Sequence, residues 1–92
     1  MITITVAGGS GSVSFNFGTT HFVGVSLVSP DSTPMYDFHI YDADNHLAVA
    51  GIAIDSQKTA IKEDFTLIGI CTLQIDNAVD NGDYTIKLVP KP

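Results

Sequence analysis

The sequence predicts an all-β domain, an antiparallel β-sandwich, immunoglobulin-like or jelly-roll-like, of about seven or eight short strands. Three observations carry this expectation. The chain holds ten Ile, eight Val, nine Thr and eight aromatic residues but one Glu and no Arg, a usage that suits a pleated, half-buried surface better than a helix. Apolar and polar residues alternate with period two in nearly every segment. Turn residues punctuate the chain at spacings of roughly 8–12 residues. At 92 residues the chain closes one hydrophobic core, so residues 1–92 form a single domain.

Taken in order, Ile2, Ile4 and Val6 alternate with Thr3 and Thr5 in a first strand, and Gly8-Gly9-Ser10-Gly11 reads as a hairpin loop to an antiparallel neighbour. Val13, Phe15 and Phe17 alternate with Ser12, Ser14 and Asn16 in a second strand, which the turn Gly18-Thr19-Thr20 ends. Residues 21–29 form a third, with Val23, Val25 and Leu27 on one side and Phe22, Gly24, Ser26 and Val28 on the other. The loop Ser29-Pro30-Asp31-Ser32-Thr33-Pro34 stops it. Tyr36, Phe38 and Ile40 then alternate with Asp37, His39 and Tyr41, and Asp42-Ala43-Asp44-Asn45 turns the chain. Residues 47–54, with Gly51 inside, fit a bulged strand better than a helix. The polar stretch 55–64 reads as a loop or a single helical turn, and Gly69 splits residues 65–76 into two strands. Asp80-Asn81-Gly82-Asp83 is a tight turn before a last alternating strand, residues 84–89, which Pro90 ends. The expected core is Ile4, Val6, Phe15, Phe17, Val25, Phe38, Ile40, Leu73, Tyr84, Ile86 and Leu88, because a one-residue slip in register would expose each set.

Composition narrows the function. Ten acidic residues against four lysines give a net charge of −6, and without arginine no guanidinium fork exists for phosphates, so nucleic acid is not an expected partner. No apolar run approaches the roughly 18 residues of a membrane span, and the N-terminus resembles no export signal, so no membrane partner is expected. Cys71 is the single cysteine, which excludes an internal disulfide and a cysteine-based zinc site. It sits among Ile68, Ile70, Leu73 and Ile75, where a free thiol acts as a small hydrophobe. Asp42 and Asp44 place oxygen ligands at alternate positions, as hard cations require, and Asp80 and Asp83, three residues apart in the next acidic turn, are the other candidates. The Asp42 turn lacks an EF-hand's glycine and terminal Glu, since Gly51 and Asp55 are not at those offsets, and Asn81-Gly82 alone explains the second turn; Asp and Asn close turns on their own backbone, so these four are metal candidates only and no cofactor is expected. His21, His39 and His46 share no ligand spacing, and the serines cluster in turns without a Gly-x-Ser-x-Gly elbow, so no catalytic residue and no enzyme activity is expected.

Two stretches carry a family resemblance: Tyr36-Asp37-Phe38-His39-Ile40-Tyr41-Asp42-Ala43-Asp44-Asn45, and Gly82-Asp83-Tyr84-Thr85-Ile86-Lys87-Leu88. Together they resemble the short accessory virion proteins of tailed bacteriophages, of capsid-decoration (cement) or tail type, over nearly the whole chain, including its Thr-Ile-Thr start. The second half alone is also similar to pre-peptidase-like domains attached to secreted bacterial enzymes. The Asp44-Asn45 and Asn81-Gly82 turns depart from the Asp-Gly turns usual in these groups, and the motifs bring no catalytic residue with them. A start at Met1 with no signal peptide suits the virion reading. The resemblance implies a non-enzymatic structural protein of the virion that docks on the major capsid or a tail protein. The alternative is a tail-associated or carbohydrate- and cell-surface-binding module.

Interaction residues follow from the same alternation. Tyr36 and Tyr41 lie on opposite sides of one strand, so one of them, Tyr41 by its position, faces outward and can anchor a partner or stack on a sugar ring. Residues 22–28, beginning at Phe22, and 47–54 carry apolar side chains on both faces. A domain this small, with no staple, is expected to cover such surface by forming a homo-oligomer or by seating on a lattice.

Overall fold

The computed structural model describes residues 1–32 and 34–92; Thr33, in the loop that follows the third predicted strand, lies outside them. The strands are β1 (Ile2–Val6), β2 (Gly11–Val28), β3 (Tyr36–Tyr41), β4 (Leu47–Ile54), β5 (Lys58–Asp76) and β6 (Tyr84–Pro90). They form one antiparallel sheet in the order β1-β6-β2-β5-β3-β4, and no helix occurs among the described residues. The all-β, antiparallel expectation holds, and among the described residues the sheet has six strands where seven or eight were expected.

The difference lies in β2 and β5, which run 18 and 19 residues and each absorb two predicted strands. A straight strand of 18 residues would span about 60 Å. The longest axis of the whole chain is 34 Å, so both strands bend. They bend together. Phe17 and Gly18 of β2 oppose the single Gly69 of β5, a bulge between the pairs Asn16↔Ile70 and Thr19↔Ile68. Gly18 (φ 62°) and Gly69 (φ 71°) both sit in the left-handed region that glycine enters without a Cβ clash. The breaks predicted at these two glycines are therefore one kink in a continuous two-stranded ribbon.

A second irregularity lies between Phe22 and Gly24 of β2, where Val23 faces Glu63 and Asp64. It reverses the parity of the strand, so Phe22 joins Val25 and Leu27 in the core instead of facing away from them. The polar stretch predicted as a loop is strand from Lys58 onward and pairs with the end of β2. Its Lys58, Ala60 and Lys62 point to water while Thr59 and Ile61 are half-buried, so its polarity reflects a solvated face.

The Gly8–Gly11 loop is not a hairpin between sheet neighbours. β1 pairs with β6, matching Ile2 to Leu88, Ile4 to Ile86 and Val6 to Tyr84. Gly9 N donates to Gly82 O at 2.9 Å, which ties that loop to the β5–β6 connection. The residues 47–54 form the predicted bulged strand, with Ile52 and Ala53 opposite Asp37.

One core cluster unites all six strands. Of the expected core residues Phe15 is the exception: it is 39% exposed, because no strand covers that part of β2 on its β6 side. Phe22, Tyr36, Leu67, Cys71 and Ile75 are buried core residues as well. The rings of Tyr36 in β3 and Tyr84 in β6 lie 4.8 Å apart although β2 and β5 separate their strands in the sheet.

Candidate functional site

β3 alternates cleanly, burying Tyr36, Phe38 and Ile40 and turning Asp37, His39 and Tyr41 to the outer face. Pairing with β5 sets these beside Asp76, Gln74 and Thr72 respectively. The His39 and Tyr41 rings stack at 5.7 Å and 18°. His39 Nδ1 lies 3.3 Å from Asp76 Oδ2 without making a hydrogen bond, and Gln74 Nε2 donates to both Asp76 oxygens at 2.9 and 3.0 Å. This is a polar sheet face carrying two stacked rings, an amide and a carboxylate.

Asp37 holds its rim. Its Oδ1 accepts from Ala53 N at 2.8 Å and its Oδ2 from Asn77 Nδ2 at 2.9 Å. Both partners are left-handed non-glycine residues, Ala53 at φ 52° and Asn77 at φ 57°. The Ala53 amide first, then Asn77, hold the Asp37 carboxyl below its ordinary range. One carboxylate thus joins β3, the β4 bulge and the end of β5.

Asp42 and Asp80 close the acidic turns on their own backbone, and Asp83 reaches the Gly8 loop. Asp42 Oδ1 accepts from Asp44 N at 2.9 Å and His46 N at 2.8 Å, and Asn45 takes the left-handed position of the turn. Asp80 Oδ1 accepts from Gly82 N at 2.6 Å, and Asp83 Oδ1 is 3.4 Å from Gly8 N. Among the described residues no group of three or more His, Cys, Asp or Glu side chains is placed to hold a metal ion. Burial pushes the Cys71 thiol up, and its Sγ faces Ile68 O at 3.7 Å, so it sits as a core thiol. His21 Nδ1 and Thr66 Oγ1 are 2.7 Å apart beside a depression of about 240 Å³ that Asp64 and Lys91 also line.

No family model matches this chain, and no curated protein matches it. What the chain presents must therefore be read from its own surface. Of the three residues expected to meet a partner, Phe22 and Tyr36 are each 1% exposed, which takes both rings out of the surface. The parity change at Val23 buries Phe22, and Tyr36 faces Tyr84. Tyr41 is half-buried on the outer face against His39. The larger exposed apolar surface lies elsewhere. Ile68 and Ile70 of β5 and Leu47 and Ile52 of β4 are each more than half exposed. Ile68 and Ile70, the sequence neighbours of Cys71, lie outside the expected core and are exposed, while Cys71 itself is buried. The run Leu67, Cys71, Leu73, Ile75 at odd positions carries the signal for their exposure, since even positions of the same strand must then face out. The Asp37 clamp had no sequence signal, because it joins residues 16 and 40 positions apart.

Proposed function

We propose that this chain is a non-enzymatic structural module that works docked on other protein chains, as a decorating or cementing protein of a tailed-bacteriophage capsid. The observation that carries the reading is the set of exposed branched apolar side chains Ile68, Ile70, Leu47 and Ile52 on a domain of 92 residues. Exposed apolar side chains on sheet faces gain free energy when another chain covers them. The likeness of the β3 strand and turn, and of the β6 strand, to accessory virion proteins supplies the class of partner, a major capsid or tail protein. The net charge of −6 without arginine supports a surface that avoids packaged nucleic acid. The fold that goes with this reading is a sandwich, in which the kinked β2–β5 ribbon brings its β1–β6 end over its β3–β4 end. The 4.8 Å contact between Tyr36 and Tyr84 supports that arrangement.

The test is co-sedimentation of the purified chain with particles that lack it, together with mass spectrometry of intact virions. Saturable co-pelleting that Ile68→Ser and Ile70→Ser weaken is the expected result. A chain that never pellets with particles and is missing from virions overturns the reading. The stacked His39–Tyr41 pair beside Gln74 and Asp76 favours a second reading, a module that binds sugars at a cell surface. Binding on a glycan array that Tyr41→Ala abolishes would promote it.

A further inference from the structure

We infer that a second copy of this chain pairs along the free edge of β2 at residues 12–16, through an antiparallel, two-fold contact centred on Ser14. The inference rests on the docking reading above and names one of its surfaces.

β6 pairs with β2 only over residues 22–28, so among the described residues no strand lies along residues 12–21 on that side. The far part of this edge is closed by its own neighbours. Asn16 Oδ1 accepts from Gly18 N at 3.0 Å, Thr20 Oγ1 donates to Phe17 O at 2.7 Å, and Lys91 N donates to His21 O at 2.9 Å. Among the described residues the backbone groups of residues 12–16 have no such closure on this side, and the segment carries no Lys, Asp, Glu or Pro to discourage pairing; the bulge at Phe17–Gly18 bounds it at one end. This is a regular strand with backbone groups ready for a ladder.

The segment is also complementary to itself. Antiparallel pairing about Ser14 sets Ser14 against Ser14 of the second copy, Val13 against Phe15, and Ser12 against Asn16. Val13 and Phe15 lie on the inner side of β2, paired with Leu73 and Cys71 of β5, and Phe15 is the expected core residue that is left 39% exposed. The second copy's Val13 would cover that ring, and its Phe15 would cover Val13. The polar positions meet each other on the outer side, and no charge meets a like charge because the segment has none. A register shifted by one residue loses this match, since it sets serines against Val13 and Phe15.

The experiment uses the full chain. Sedimentation equilibrium over a concentration series is expected to give twice the chain mass, and Ser14→Lys, which sets two like-charged side chains opposite each other with Cβ atoms about 5 Å apart across the axis, is expected to return the single-chain mass. Ser14→Cys is expected to cross-link into a dimer under mild oxidation or with a short bis-maleimide. Ser12→Cys, whose two copies would be roughly 14 Å apart, is not. A wild-type chain that stays monomeric overturns the inference. A dimer that Ser14→Lys leaves intact and Ser14→Cys fails to cross-link also overturns it, while leaving the docking reading standing. Conversely, a Ser14-centred dimer that never pellets with particles upholds the edge contact and overturns the virion reading.

Discussion

At the scale of single residues, Asp37 couples stability to pH. Its carboxylate satisfies Ala53 N and Asn77 Nδ2, and both bonds favour the charged form, so its folded pKa lies below the ordinary 3.8. The unfolded chain therefore takes up this proton first as pH falls. The contribution is fully present above the unfolded value and is lost as pH drops through the folded one. Asp37→Ala is expected to melt below wild type at pH 7, with the Tm gap closing below about pH 4. Tyr36 gives the opposite limb. Burial first, then Tyr84, pushes its phenol up from 10.0 to about 12. The unfolded phenol ionises before the folded one, so stability falls as pH rises from 10 towards 12, a trend that Tyr36→Phe should reduce in alkaline melts. Neither Tyr36 Oη nor Tyr84 Oη has a hydrogen-bond partner among the described residues. Removing the Tyr36 hydroxyl is accordingly expected to leave stability at neutral pH unchanged or raise it by about 1 kcal/mol, read from urea unfolding.

At the scale of elements, the paired bulge of β2 and β5 decides the shape. Gly69→Ala meets no steric obstacle, since the nearest atom to an added Cβ is the Ala43 Cβ at 4.0 Å. Its cost is backbone strain at φ 71°, about 1–2 kcal/mol in a denaturant titration. Gly11→Ala is the control. An added Cβ there sits 3.6 Å from Val6 Cγ1 at ordinary contact, with no left-handed strain, so the change should be close to neutral. The bulges also explain where local reading failed. Alternation identified the inner faces of β1, β3 and β6 because those strands are short and regular. It misplaced Phe22 because Val23 is one extra residue of β2 against β6, between the pairs Phe22↔Pro90 and Gly24↔Val89, which shifts the parity of everything before it.

At the scale of the whole molecule, core and surface apolar residues should separate cleanly under substitution. Leu73→Ala, in the fully buried centre of β5, is expected to cost about 2–5 kcal/mol, the transfer term plus a cavity. Ile68→Ser and Ile70→Ser remove exposed side chains and should stay within about 1 kcal/mol in the same urea titration, while weakening attachment to particles. A large stability loss from the Ile68 or Ile70 change would place those residues in an internal contact and remove the main support for docking.

The all-β class, most of the core of β1, β3 and β6, and the Asp-closed β3–β4 turn are legible in the amino-acid sequence, because each of these is written in residues a few positions apart. Period two, turn chemistry and composition are local, and local physics decides them. Strand order, the pairing of β1 with β6, the merging of predicted strands into two bent ones, and the exposure of Phe15, Ile68 and Ile70 were decided only in the tertiary structure. Each depends on which distant segment supplies the next row of hydrogen bonds. The Asp37 clamp belongs with them, since its partners Ala53 and Asn77 reach it only after β4 and the end of β5 have docked on either side of β3.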